Sequence, residues 1–144
     1  MVAPESYVDI NVFVYWLGKH PTLGETAYKW VKRIEEAPKG KYLTSSLTLY
    51  ELPIILAGLT GRNLADKTFI ETAVDSITSL PGLQIAPLTA EEITQAVSLM
   101  KEYDLDYEDA IHLATALRKS VKEIISNDRD FDKTPLKRKF LTKR

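Results

Sequence analysis

Ser6-Tyr7-Val8-Asp9-Ile10-Asn11-Val12-Phe13-Val14-Tyr15-Trp16-Leu17 opens the chain with a short apolar strand, Ser6 to Val8, that stops on an acid and feeds a helical or turn segment from Asn11 to Leu17. The same phrasing recurs. Lys41 to Thr44 reads as a second strand, and Ser45 or Ser46 can cap the helix after it, which runs through Leu47, Tyr50, Glu51, Ile54 and Ile55. Leu83 to Leu88 is a third strand, followed by Thr89 and Glu92 at capping-box spacing ahead of Ile93, Ala96, Val97, Met100 and Tyr103. Glu123 to Ser126 is a buried strand ending at Asn127-Asp128, and a last strand around Lys139 to Leu141 is weakly marked. Strands that alternate with helices define a three-layer α/β/α sandwich around a mainly parallel central sheet.

The helices between these strands carry their own punctuation. Thr22 with Glu25 matches a capping box, and Leu23, Ala27, Trp30, Val31 and Ile34 share one helical face. Pro53 falls inside the pattern of the second strand's helix, so that helix either starts late or bends just after Glu51. Asn63 is the expected cap of a long helix with Phe69, Ile70, Ala73, Val74 and Ile77 as its buried stripe, closed by Pro81-Gly82. Asp106 caps the helix that places Ala110, Ile111, Leu113, Ala114 and Leu117 inward. No repeat, low-complexity tract or linker interrupts the 144 residues, so residues 1–144 are expected to form a single domain.

Composition narrows the chemistry. The absence of cysteine excludes disulfides, thiolate zinc sites and cysteine nucleophiles. The apolar runs are too short to span a bilayer, and the N-terminus lacks the basic region and long apolar core of a signal peptide, so a soluble cytoplasmic protein with no membrane partner is expected. Net charge is only -1, yet Thr115 to Arg144 holds ten basic residues against four acidic ones and carries +6, leaving -7 on the remainder. An acidic centre beside a basic rim suits a metal-dependent enzyme acting on a polyanion. A solvated charged tail explains the same run without any function.

Four acids lie where such a fold gathers its ligands. Asp9 follows the first strand directly, Glu51 sits among Leu47, Leu49, Leu52 and Ile54, Asp109 is the third position after the Asp106 cap, and Asp128 follows the fourth strand. Each has a plain structural role open to it: Asp9 and Asp109 at helix N-termini, Glu51 on an exposed helix face, Asp128 with Asp130 and Asp132 in a turn. Carboxylates converging on one rim of a sheet need a cation, so together they point to a divalent-metal site. The spacing is not that of a calcium loop, which needs a glycine and a distant glutamate. His20 and His112 do not form a zinc pair. His112 lies three residues after Asp109 on the same helical side and reads either as a contact to phosphate or acid, or as a satisfied core residue. Neither a phosphate-binding glycine loop nor a serine-hydrolase elbow is present.

Taken together, Tyr-Val-Asp-Ile-Asn-Val-Phe-Val-Tyr (Tyr7 to Tyr15), Ser-Leu-Thr-Leu-Tyr-Glu-Leu (Ser46 to Leu52), Asp-Ala-Ile-His-Leu-Ala-Thr-Ala-Leu (Asp109 to Leu117) and Ile-Ser-Asn-Asp-Arg-Asp-Phe-Asp (Ile125 to Asp132) resemble the PIN domain, in particular the VapC-like toxin ribonucleases. The resemblance runs from Tyr7 to about Leu141. It implies an Mg²⁺- or Mn²⁺-dependent endoribonuclease that hydrolyses RNA, a homodimer, and a small antitoxin protein as partner. It further implies that Asp9, Glu51, Asp109 and Asp128 hold metal, that Asp130 is an additional acid, and that Asn11 and Ser126 are polar supports behind them. Lys133, Lys137, Arg138 and Lys139, close to Asp128 in sequence, are the expected contacts to RNA phosphates. Two positions depart from the family pattern. Ile10 stands where a threonine or serine often follows the first acid, so a hydrogen bond is expected to be missing there, and Pro53 follows Glu51 closely. A PIN-like module that binds RNA or protein without cutting is the alternative reading.

Overall fold

Neighbouring residues of each strand face opposite layers. Val8, Tyr42, Leu83 and Ile125 belong to one apolar cluster, and Tyr7, Leu43, Ala86 and Ile124 to another. This period of two gives the sheet two buried faces, as a parallel sheet covered by helices requires. The computed structural model describes residues 1–141. Its five strands are β1 (Ser6–Val8), β2 (Tyr42–Ser45), β3 (Leu83–Ala86), β4 (Glu123–Ile125) and β5 (Lys137–Lys139). All adjacent pairs are parallel, in the order β3-β2-β1-β4-β5. Helices α1 (Ile10–Leu17), α2 (Gly24–Glu36), α3 (Ser46–Thr60) and α4 (Lys67–Thr78) supply apolar residues to the first cluster; α5 (Ala90–Tyr103) and α6 (Tyr107–Arg118) cover the opposite face. The architecture is the expected three-layer α/β/α sandwich.

Strand order locates the site. The chain builds outward from β1 through β2 to β3, then returns to the other side of β1 for β4 and β5. The crevice beyond the carboxyl ends of β1 and β4 is therefore the topological switch point, where open α/β sheets bind ligands.

Several local devices differ from their sequence signatures. The helix expected to start at Thr22 starts at Gly24, and its first turn has no side-chain cap of its own. His20 takes that role instead: its Nδ1 accepts from the N–H groups of Thr22 and Leu23 at 3.2 and 3.0 Å. Asn63 does not cap α4. Its Oδ1 accepts from Ala65 N at 2.7 Å in a turn, and Asp66 is the cap, accepting from Phe69 N at 3.1 Å. Both misplacements have one cause, since side-chain oxygens and ring nitrogens serve turns as readily as helix starts. The α3 helix does not start late: Ser45 Oγ caps it by accepting from Leu47 N at 3.0 Å, and Pro53 is buried within it. Lacking an N–H, Pro53 gives the Leu49 carbonyl no ladder partner. The weakly marked last strand exists, two residues earlier than expected, with Lys137 opposite Glu123.

The layer carrying α6 is tied down by a buried acid. Glu92, 1% exposed, completes the Thr89 capping box and also accepts from Thr115 Oγ1 at 3.1 Å and from the Arg118 guanidinium. One carboxylate thus locks α5 to α6. Where α4 hands over to β3, Gly82 donates to the Ile34 carbonyl, and a Cβ there would lie 2.2 Å from that oxygen and 2.8 Å from Ala37 Cβ. Gly82→Ala is expected to lower unfolding free energy by about 1–3 kcal/mol, measured by urea denaturation, because backbone must move to admit the methyl. Among the described residues no helix is long and apolar enough to cross a membrane.

Candidate metal centre at the switch point

Asp9 is set immediately after β1, with its backbone N–H still donating to Ile125 O of β4 at 3.0 Å. That extra ladder bond puts the carboxylate at the mouth of the crevice. The residue precedes α1, but its side chain makes no capping bond. It is 3% exposed and accepts from Ser126 Oγ at 2.6 Å. Ile10 supplies no hydroxyl beside the first acid; Ser126 does so from β4's end.

Ser126 is the hub of this corner. Its hydroxyl donates to Asp9 and accepts from Asp128 N at 3.0 Å and from Asn11 Nδ2 at 3.2 Å. One donor and two acceptor sites are all a serine has, and all are used. Because the hydroxyl proton goes to Asp9, Asn11 must present its NH₂ to Ser126. Its Oδ1 is then turned away, buried and without a hydrogen-bond partner.

Asp109 and Asp128 complete the corner from opposite sides. Asp106 caps α6 by accepting from Asp109 N at 2.9 Å, so the helix start is satisfied without the Asp109 carboxyl. Asp128 starts the 3-10 turn Arg129–Lys133, accepting from Asp130 N at 2.9 Å. Oxygens of Asp109, Asp128 and Asp130 lie within 4.8 Å of one another. Asp9 and Glu51 are not part of that tight group. Asp9 is nevertheless close enough for its charge to act on Asp109.

The electrostatics record the crowding. Burial, then the charges of Asp9, Asp128 and Asp106, push the Asp109 carboxyl up to about 8. Asp9 is also raised, chiefly by burial, against the opposing pull of His112 and the Ser126 hydrogen bond. An acid whose pKa is higher folded than unfolded stabilises the fold below its unfolded value and loses that contribution as pH rises through the folded value. Asp66, Glu123 and Asp132 are shifted downward, so they are ionised in both states above about pH 5. Between about pH 5 and 8 the metal-free protein is therefore expected to lose stability, read as a falling urea midpoint.

Glu51 and most of the basic residues already have protein partners. Glu51 is 7% exposed, not on an open helix face, and its Oε1 lies 3.1 Å from His112 Nε2. Its protein partner is a histidine. The His112 ring continues through Nδ1 to Tyr7 Oη at 2.5 Å. Sequence reading overlooked Tyr7, although strand alternation buries it and a buried phenol needs a partner. Three of the four basic residues already have acids. Lys133 pairs with Asp130 at 3.4 Å, Arg138 grips Asp132 at 2.9 and 3.2 Å, and Lys139 meets Glu123 at 2.7 Å. Arg138 also donates to Ser126 O at 3.3 Å, which places it beside the crevice. Lys137 has no ion pair among the described residues.

A parallel α/β/α sandwich with a carboxylate cluster at its switch point presents oxygen donors of the kind hard cations take. Residues 6–137 match the PIN domain, and the chain belongs to that family. Solved structures share the fold at low identity. VapC20 of Mycobacterium tuberculosis, described as a sarcin-ricin loop cleaving toxin, is 20% identical with a TM-score of 0.70, covering 89% of this chain and 93% of that one. A toxin-antitoxin complex from Klebsiella pneumoniae contains a chain 20% identical with a TM-score of 0.62, over 92% of this chain and 99% of that one. VapBC2 of Rickettsia felis, bound to a DNA fragment from its promoter, gives 18% identity and a TM-score of 0.64 over 93% and 96%. No curated protein matches the chain in sequence.

Proposed function

We propose that this protein is an endoribonuclease dependent on Mg²⁺ or Mn²⁺ and the toxin of a toxin-antitoxin pair. The observation that carries the reading is the convergence of Asp109, Asp128 and Asp130 on one point beside Asp9, with the Asp109 carboxyl held near 8 by burial and by its neighbours' charge. Such repulsion is relieved by a cation, and a purely oxygen donor set suits a hard one. The unpartnered Asn11 Oδ1 adds a further acceptor at the same corner. Fold likeness to a sarcin-ricin loop cleaving toxin and to toxin-antitoxin complexes supports the substrate class and the partner.

Asp109, Asp128 and Asp130 would hold the ion, with Asp9 completing the set from β1. A bound ion would supply the Lewis acidity that activates a water nucleophile and offsets charge on the leaving oxygen. Asp9 and Glu51, both buried, are the bases available to take the nucleophile's proton. Ser126 fixes Asp9 and Asp128 relative to each other. Lys137 and Arg138 are the cations best placed to meet RNA, one lacking an acid partner and the other beside the crevice. The reading also implies a homodimer blocked by a small antitoxin.

Cleavage of structured RNA by the purified protein, with Mg²⁺ or Mn²⁺ and then with EDTA, tests this. Cutting is expected only with metal, and water as nucleophile leaves a 5′-phosphate and a 3′-hydroxyl. A 2′,3′-cyclic phosphate product would overturn the mechanism. Metal-dependent thermal stabilisation without any cutting would move the protein to the RNA- or protein-binding reading.

A further inference from the structure

Helix α6 delivers two groups to the crevice one turn apart, Asp109 and His112, and the second touches no member of the acidic cluster directly. His112 is 1% exposed and spans the gap between Tyr7 Oη at 2.5 Å and Glu51 Oε1 at 3.1 Å. The ring thus links Tyr7 of β1, two residues before Asp9, to Glu51 of α3.

The direction of these hydrogen bonds follows from donor counting. Tyr7 is fully buried, and burial together with the Asp9 charge keeps its phenol protonated. Thr44 Oγ1 donates to Val8 O at 2.9 Å and Thr48 Oγ1 then donates to Thr44 at 2.8 Å, so neither gives a proton to Tyr7. At the other end a carboxylate only accepts, so the Glu51 contact calls for a proton on Nε2. A neutral ring protonated there accepts at Nδ1, and the Tyr7 hydroxyl donates to it.

We propose that Tyr7 and His112 are positioning residues that fix Glu51 through one oxygen, leaving its second oxygen for the chemistry of the acidic site. The role rests on the nuclease reading for its effect on rate, but not for its hydrogen bonds. A glutamate side chain in a helix has three rotatable bonds, and anchoring one oxygen to a ring that is itself held at the far side removes most of that freedom. Arrangements in which a carboxylate is oriented from behind are worth about 10–100-fold in activity or metal affinity.

Two measurements decide it. In the metal-free wild type, ¹⁵N NMR of the imidazole should show Nε2 protonated, with exchange that accelerates in Glu51→Ala; a ring protonated at Nδ1 alone would overturn the relay. In RNA cleavage, His112→Leu should lower kcat about 10–100-fold with little change in KM or in Mn²⁺-induced stabilisation, and His112→Gln, which keeps a donor toward Glu51, should recover much of it. Wild-type kcat in His112→Leu, or equal losses in Leu and Gln variants that both fold by circular dichroism, would sink the proposal. Tyr7→Phe removes only a hydroxyl and serves if His112→Leu does not fold: it should lower kcat while the ring stays protonated at Nε2 toward Glu51, and wild-type kcat in Tyr7→Phe counts against the relay. Should the wild type cut no RNA, the nuclease reading fails and the NMR result alone decides whether the relay stands.

Discussion

Asp109→Asn is expected to abolish cutting while making the metal-free protein more stable. The two effects have one origin. Asp109 sits half-buried among Asp9, Asp128 and Asp106, and its carboxyl is held up near 8, so the ionised form is disfavoured in the empty crevice. Asparagine keeps the shape and removes the charge. The gain in unfolding free energy at pH 8 is on the order of 1–2 kcal/mol once screening by water is allowed for. It should shrink toward zero near pH 5, where the wild-type acid is largely protonated, and the fall in stability between about pH 5 and 8 should flatten in the variant. Activity moves the other way. An amide cannot neutralise a divalent cation, and loss of one electrostatic element of a phosphoryl-transfer site costs at least about 10²-fold in rate. Thermal melts with and without Mn²⁺ check both limbs: wild type should gain stability with metal and Asp109→Asn should not. A variant less stable than wild type without metal at pH 8 would show that the carboxylate is satisfied by the protein itself, which would undercut the case for a cation.

Sequence pattern carried the frame of this fold because parallel sheets are read by alternation and punctuation, both local. The strands at Ser6 to Val8 and after Lys41, the Thr89–Glu92 capping box and the Asp106 cap are all visible as spacing. What spacing cannot show is which of several polar residues at a helix entrance wins the backbone. His20 displaced Thr22, and Asp66 displaced Asn63, because the turn geometry before the helix decides which acceptor faces the free N–H groups. The last strand was faint because Lys137-Arg138-Lys139 has no apolar alternation; as an edge strand it is held by pairing with β4 and by ion pairs on its flanks. Charged edges of this kind also discourage pairing with other sheets.

The candidate site was legible as a set of acids but not as a geometry. Asp9, Asp109 and Asp128 gather at one crevice as strand-end reasoning expects. Glu51 stands apart from the tightest group, and Asp130, the additional acid, is inside it. The reason lies in the carriers. Asp128 and Asp130 ride a single 3-10 turn, where a separation of two residues brings oxygens together, whereas Glu51 comes from the second turn of α3 and meets a histidine first. The basic run misled in a different way. Its charge is real, but Asp130, Asp132 and Glu123 offset much of it, and no composition count distinguishes a paired lysine from a free one.

Phe131 makes the link between core and chemistry testable. It is fully buried in the cluster beneath α6, one residue past Asp130 and three past Asp128, so the acidic turn is pinned to the core by one aromatic ring. Truncation to alanine should cost about 3–5 kcal/mol by urea denaturation, through lost burial and the cavity left behind. Because the turn owes its position to that ring, the loss should not be confined to stability. Under conditions where Phe131→Ala remains folded, Mn²⁺-induced stabilisation is expected to fall well below wild type, since Asp128 and Asp130 no longer share a fixed spacing with Asp109. Phe131→Leu is the control: it keeps an apolar side chain in the same pocket, so it should cost markedly less and retain most of the metal response. If Phe131→Ala is destabilised yet binds Mn²⁺ like wild type, the turn holds its shape through the Asp128–Asp130 and Ser126 hydrogen bonds alone, and the core contributes stability without setting the site.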